Sequence, residues 1–110
     1  MQSPLLAVAI FTLILPQIVN AQERGNASAG LAFARANCAE CHAVTSSEDI
    51  SANPDAPPFA SVAGTPGMTG TALAVWLQTS HPTMPDFMIA EDDRDNVIAY
   101  IMSLKASPKP

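Results

Sequence analysis

The sequence predicts an all-α fold of three or more short helices joined by a long proline-rich loop. Three observations carry that expectation. Three segments place apolar residues at helical spacing, no segment alternates as a strand would, and Cys38-Ala39-Glu40-Cys41-His42 stands where the first helix ends. There are no internal repeats and no linker long enough to divide the chain, so its 110 residues are read as one domain behind a leader.

The leader comes first. Leu5 to Leu15 form an apolar run, shorter than the ~20 residues needed to span a bilayer. Val19-Asn20-Ala21 has the small-residue pattern of a cleavage site, which divides the chain into a signal peptide at 1–21 and a mature domain at 22–110. No Lys or Arg precedes the apolar run, so retention as an N-terminal anchor is the competing reading. Much of the 48% hydrophobic composition lies in this segment, and a mature domain so small has a marginal core of its own.

Within the mature domain, Ala27 to Asn37 is an Ala-rich helix carrying Leu31 and Phe33, capped by Asn26 or Ser28. Thr45 to Thr65 has the Ser, Asn, Asp, Pro and Gly content of a loop. A second helix is capped by Thr69 or Thr71 and runs through Leu73, Val75, Trp76 and Leu77 to about Thr79. In His81-Pro82-Thr83-Met84-Pro85, each proline pushes the residue before it towards extended geometry. A third helix covers Glu91 to Leu104, with Val97, Ile101 and Leu104 on one face. Glu91, Asp92 and Asp93 favour its N-terminal dipole end, although Ala90 is a poor cap.

The cysteine motif carries the chemistry. Two thiols three residues apart, followed at once by a histidine, form the attachment signature of c-type haem. That spacing lets each thiol form a thioether to one of two vinyl groups on neighbouring pyrroles, and it puts the His42 imidazole under the iron as fifth ligand. Cys38 and Cys41 are the only cysteines, so no thiol remains for a disulfide or a zinc site. A thioredoxin-like use of the pair would need a βαβ pattern that the chain lacks. A buried porphyrin would also supply the apolar surface that so short a domain is missing.

The sixth ligand must come from Met68, Met84, Met88, Met102 or His81. Met102 lies inside the third helix and reads as packing, while Met68 sits in the turn Gly64-Thr65-Pro66-Gly67, which gives it little support. Met84 is held between Pro82 and Pro85, which can aim its thioether inward, and it is the residue assigned. His81 competes, but Pro82 and the preceding helix end are expected to leave it at the surface. A haem enzyme or gas sensor would need an open sixth position, against which Met84 argues.

Four segments together resemble the class I cytochromes c: Cys38–His42, Ala56-Pro57-Pro58-Phe59, His81 to Phe87, and Val97 to Ile101. The likeness extends over Gly25 to Lys105 and is greatest to the small soluble monohaem cytochromes of Gram-negative bacteria. It implies that Gly30 lets the first helix approach the last near Tyr100. It implies too that the Pro57 carbonyl accepts a hydrogen bond from His42 Nδ1, that Phe59 lines the haem pocket, and that Trp76 lies near the axial Met84. Two positions depart from the family pattern. Ala34 stands where a large aromatic is frequent, with Phe33 one place earlier, and Ala43 replaces a frequent glycine.

All ten acidic and all five basic side chains lie beyond Ala21, so the mature domain carries the full charge of −5. That excludes a nucleic-acid footprint and suits weak docking to basic surfaces on redox donors and acceptors. The expected protein is therefore a periplasmic, monomeric electron carrier and not an enzyme. It would hold one haem c, attached at Cys38 and Cys41 and ligated by His42 and Met84, with no stable membrane insertion after cleavage. The alternative is a dedicated subunit of a periplasmic dehydrogenase or reductase.

Overall fold

A computed structural model describes residues 24–85 and 88–105, together with 1, 13 and 14. The leader at 1–21 therefore lies almost wholly outside the described residues, as do Asp86 and Phe87 of the proline loop. Four helices occur among the described residues, and no strand: α1 (Ala27–Asn37), α2 (Phe59–Ala63), α3 (Gly70–Trp76) and α4 (Glu91–Ser103). Among the described residues no helix is long and apolar enough to cross a membrane.

Helix α1 begins where its cap requires. The Asn26 side chain accepts from the Ala29 N–H at 2.9 Å, satisfying one of the orphan donors of the first turn. The backbone N–H of Asn26 in turn donates to Asn96 Oδ1 on α4 at 2.8 Å, so the start of α1 is tied directly to α4. Where the two helices meet there is no room for a side chain. A Cβ at Gly30 would lie 1.9 Å from the Asn96 carbonyl oxygen and 2.8 Å from Tyr100 Cβ, and one at Gly25 would lie 2.0 Å from the Asp95 carbonyl oxygen. Ala34, one turn beyond Gly30, is fully buried, and Phe33 packs from the side. The missing aromatic is thus explained by a small residue at the crossing and a displaced ring beside it.

Helix α4 supplies most of the core. Val97, Ile98, Tyr100 and Ile101 are buried against Ala34, Val44, Phe59, Ala63 and Leu73. The Tyr100 hydroxyl donates to the Val44 carbonyl, joining α4 to the segment just after the cysteine motif. Ala90 offers no side-chain cap, and the acidic residues Glu91, Asp92 and Asp93 occupy the first turn, where the helix dipole favours them.

Two element boundaries differ from the sequence expectation. Helix α3 starts at its Thr69 cap, whose Oγ1 accepts from the Ala72 N–H at 3.1 Å, but it ends at Trp76 instead of near Thr79. The side chains of Gln78 and Thr79 donate to the carbonyls of Ala74 and Val75, at 2.7 and 2.9 Å, and so terminate the helix. The loop expected over Thr45 to Thr65 contains α2, a five-residue helix begun by Pro58 and held by the burial of Phe59 and Ala63.

Gly30→Ala should destabilise the holoprotein by about 3 kcal/mol or more, because backbone on both helices has to move apart. At Gly67, where φ is 76° but nothing lies within 4 Å of a new Cβ, alanine should cost only about 1–2 kcal/mol of backbone strain. Denaturant unfolding of the two variants measures the difference. Equal costs would mean that the crossing is looser than described.

Candidate functional site

The last turn of α1 runs straight into the cysteine motif. Cys38 N–H donates to the Ala34 carbonyl at 2.8 Å, and the Cys38 carbonyl accepts from Cys41 N–H at 3.2 Å and His42 N–H at 2.9 Å. These bonds fold the five residues into a turn with both thiols and the imidazole on the wall of one cavity. Asn53 N–H closes the turn from outside by donating to the Cys41 carbonyl at 3.0 Å.

That cavity measures about 600 Å³, within the roughly 300–1,000 Å³ common for ligand and cofactor sites. Its apolar wall includes Phe59, Leu73, Val97 and Ile101, drawn from α2, α3 and α4. Glu40, Asn53 and Asp55 give it a polar, acidic margin, and among the described residues no Lys or Arg lines it.

His42 is oriented by the loop opposite it in sequence. Its Nδ1 lies 2.7 Å from the Pro57 carbonyl oxygen. A carbonyl can only accept, so Nδ1 carries the proton and donates, which leaves the lone pair on Nε2. The Phe59 ring tilts against the imidazole, with centroids 5.2 Å apart at 51°. Phe59 N–H donates to the Ala43 carbonyl at 2.9 Å, and Ala43 N–H donates to Ser51 Oγ at 2.9 Å, so both neighbouring segments are stitched to the motif. Ala43 is buried without conflict in the place where a glycine is frequent. Pro57 and Phe59 thus stand where the resemblance implied.

Neither thiol is in a disulfide. Burial pushes the Cys38 thiol up to about 11, so it stays neutral, unlike the thiolates that serve as metal ligands or redox nucleophiles. Among the described residues no group of three His, Cys, Asp or Glu could hold a metal ion on its own.

The proline loop reaches the same cavity. Met84 is half-buried on its wall, beside Pro82, Thr83 and Pro85. Thr83 has φ 69°, in the left-handed region that a β-branched residue rarely occupies. Met68 also lines the cavity; Met88 is fully exposed and Met102 packs against the core, and neither lines it. One placement differs from expectation. His81 was expected at the surface, yet it is half-buried on the cavity wall, because the Trp76 indole meets its ring edge-on at 5.2 Å and its Nδ1 lies 3.1 Å from the Thr79 carbonyl. Trp76 lines the same cavity wall as Met84; it is 54% exposed and makes its ring contact with His81.

An apolar cavity flanked by two unpaired thiols on one turn, an imidazole with a free Nε2 and a thioether is a donor set that fits a covalently stapled porphyrin. The class these features define is a c-type haem protein with a helical fold. The chain belongs to the cytochrome c family, which matches it over residues 27–105. It is 38% identical over 80 residues to cytochrome c-552 of Bradyrhizobium diazoefficiens, a stretch covering 73% of this chain and 76% of that protein. No solved structure matches the chain significantly. The protein is accordingly an all-α, class I monohaem cytochrome c, with covalent haem c and a role in electron transfer.

Replacing both Cys38 and Cys41 with Ala should remove covalent haem staining on a denaturing gel and much of the far-ultraviolet helix signal. A stable, fully helical, haem-free product would contradict the dependence of this core on its cofactor.

Proposed function

We propose that this chain is a periplasmic, monomeric carrier of single electrons whose haem iron is ligated by His42 and Met84. The observation that carries the reading is the bond between His42 Nδ1 and the Pro57 carbonyl, which frees Nε2 on the wall of a cavity that Met84 also lines. When bound, the haem supplies an Fe(II)/Fe(III) couple. The residues do the rest. Cys38 and Cys41 anchor the group, and the Pro57 carbonyl holds the His42 ring and raises its basicity. The thioether of Met84 favours the ferrous state and raises the potential, within the roughly 0.8 V that axial ligands span. Glu40 and Asp55 at the cavity margin act in the opposite sense by favouring the more positive oxidised centre. Phe59, Leu73, Val97 and Ile101 exclude water, which keeps reorganisation on electron transfer small.

Export through the segment 1–21, removed after Ala21, would deliver the chain to the compartment where c-type haem is attached. Net charge −5, with Glu91 and Asp92 exposed at the start of α4, suits a weak, salt-sensitive encounter with basic redox partners. The second reading, a dedicated subunit of a dehydrogenase or reductase, draws on Trp76 and Met88, which are 54% and 100% exposed beside the proline loop.

Met84→Ala should abolish the weak far-red charge-transfer band of thioether-ligated ferric haem and lower the potential, whereas Met88→Ala and Met68→Ala should keep the band. Loss of the band with Met68→Ala would move the assignment to Met68, the other methionine on the cavity wall. Stopped-flow electron transfer to a basic acceptor checks the docking. Glu91→Gln with Asp92→Asn should slow it at low salt and leave the potential nearly unchanged. Wild type and variant should converge as the Debye length falls from about 30 Å at 0.01 M to about 8 Å at 0.15 M. Rates insensitive to salt and to both substitutions would favour the dedicated subunit.

A further inference from the structure

The two histidines of this chain are set up alike. His42 and His81 both line the cavity. Each ring has Nδ1 against a backbone carbonyl, Pro57 at 2.7 Å for His42 and Thr79 at 3.1 Å for His81. Each therefore donates from Nδ1 and keeps its lone pair on Nε2, which is the arrangement that metal-ligating histidines adopt. Each ring is also held by one aromatic neighbour at 5.2 Å, Phe59 for His42 and Trp76 for His81.

We propose that His81 is a second ligand for the same iron, taking the place of Met84 when the thioether withdraws. The inference rests on Met84 being the resident ligand. His81 and Met84 share one short loop, with Thr83 between them in the left-handed region. Turning Thr83 back to ordinary backbone geometry re-aims Met84, while the hydrogen bond to Thr79 and the edge of Trp76 keep His81 at the wall. The loop thus has one strained arm and one anchored arm. Exchange of thioether for imidazole removes the ligand that favours the ferrous state, so it lowers the potential and turns the carrier from a ready electron acceptor into a poor one.

The test uses the ferric holoprotein, its far-red absorption, its electron paramagnetic resonance spectrum and its potential. Met84→Ala should lose the far-red band, remain low-spin with the signature of two imidazole ligands, and show a lowered potential. Met84→Ala combined with His81→Asn should become high-spin. A high-spin Met84→Ala protein overturns the exchange and leaves Met84 as resident ligand. A low-spin double variant also overturns it, since another group then takes the position. A far-red band that survives Met84→Ala overturns the resident assignment and the exchange with it. Met84→Leu, which keeps the side-chain volume, gives the same readings where the alanine variant loses its helix signal.

Discussion

Everything at the site hangs from the close crossing of α1 and α4. Gly30 and Gly25 let the two backbones meet where any side chain would collide with the carbonyls of Asn96 and Asp95, and the Asn26–Asn96 bond locks the approach. Because the cysteine motif is the continuation of α1, the crossing fixes where the thiols and His42 stand relative to Val97 and Ile101 on the cavity wall. The Tyr100 hydroxyl on the Val44 carbonyl repeats the connection from the far side of the motif. Losing that donor would leave a buried carbonyl unpaired, at a cost of about 1–3 kcal/mol.

The two sides of the pocket are built differently. The His42 side is stitched by backbone bonds at Cys38, Cys41, Ala43 and Phe59, all anchored in helix or core. The proline loop rests on Trp76, on the side-chain caps that end α3, and on a left-handed threonine. On the proposed ligation by His42 and Met84, a rigid imidazole side and a less constrained thioether side suit a centre that must hold its group permanently yet have its potential tuned by one ligand. The acidic margin at Glu40 and Asp55 adds a second influence on the potential, independent of the loop.

Much of this was legible in the sequence because the signals were local. Asn26, Thr69 and the acidic first turn of α4 mark helix starts through capping and dipole chemistry that needs no tertiary partner. The haem motif is local too, and the resemblance it supports led to Gly30, Pro57 and Phe59. What stayed hidden depends on contacts between distant segments. Helix α2 is too short for any periodicity to show, and it forms because Phe59 and Ala63 are buried. The place of His81 is set by Trp76 and the Thr79 carbonyl, and neither can be read from a histidine before a proline. The earlier end of α3 could have been read, since Gln78 and Thr79 both carry side chains able to cap the carbonyls four residues back.

Native-state hydrogen exchange of the holoprotein tests the central claim, that the cysteine motif belongs to the α1–α4 frame. The amides of Cys38 and His42 should exchange through the same opening as those of Ala34, Val97 and Ile101, with one free energy equal to that of global unfolding. If the His42 amide exchanged through a cheaper, separate opening while α1 and α4 stayed closed, the motif would be an appended loop and the account would fail.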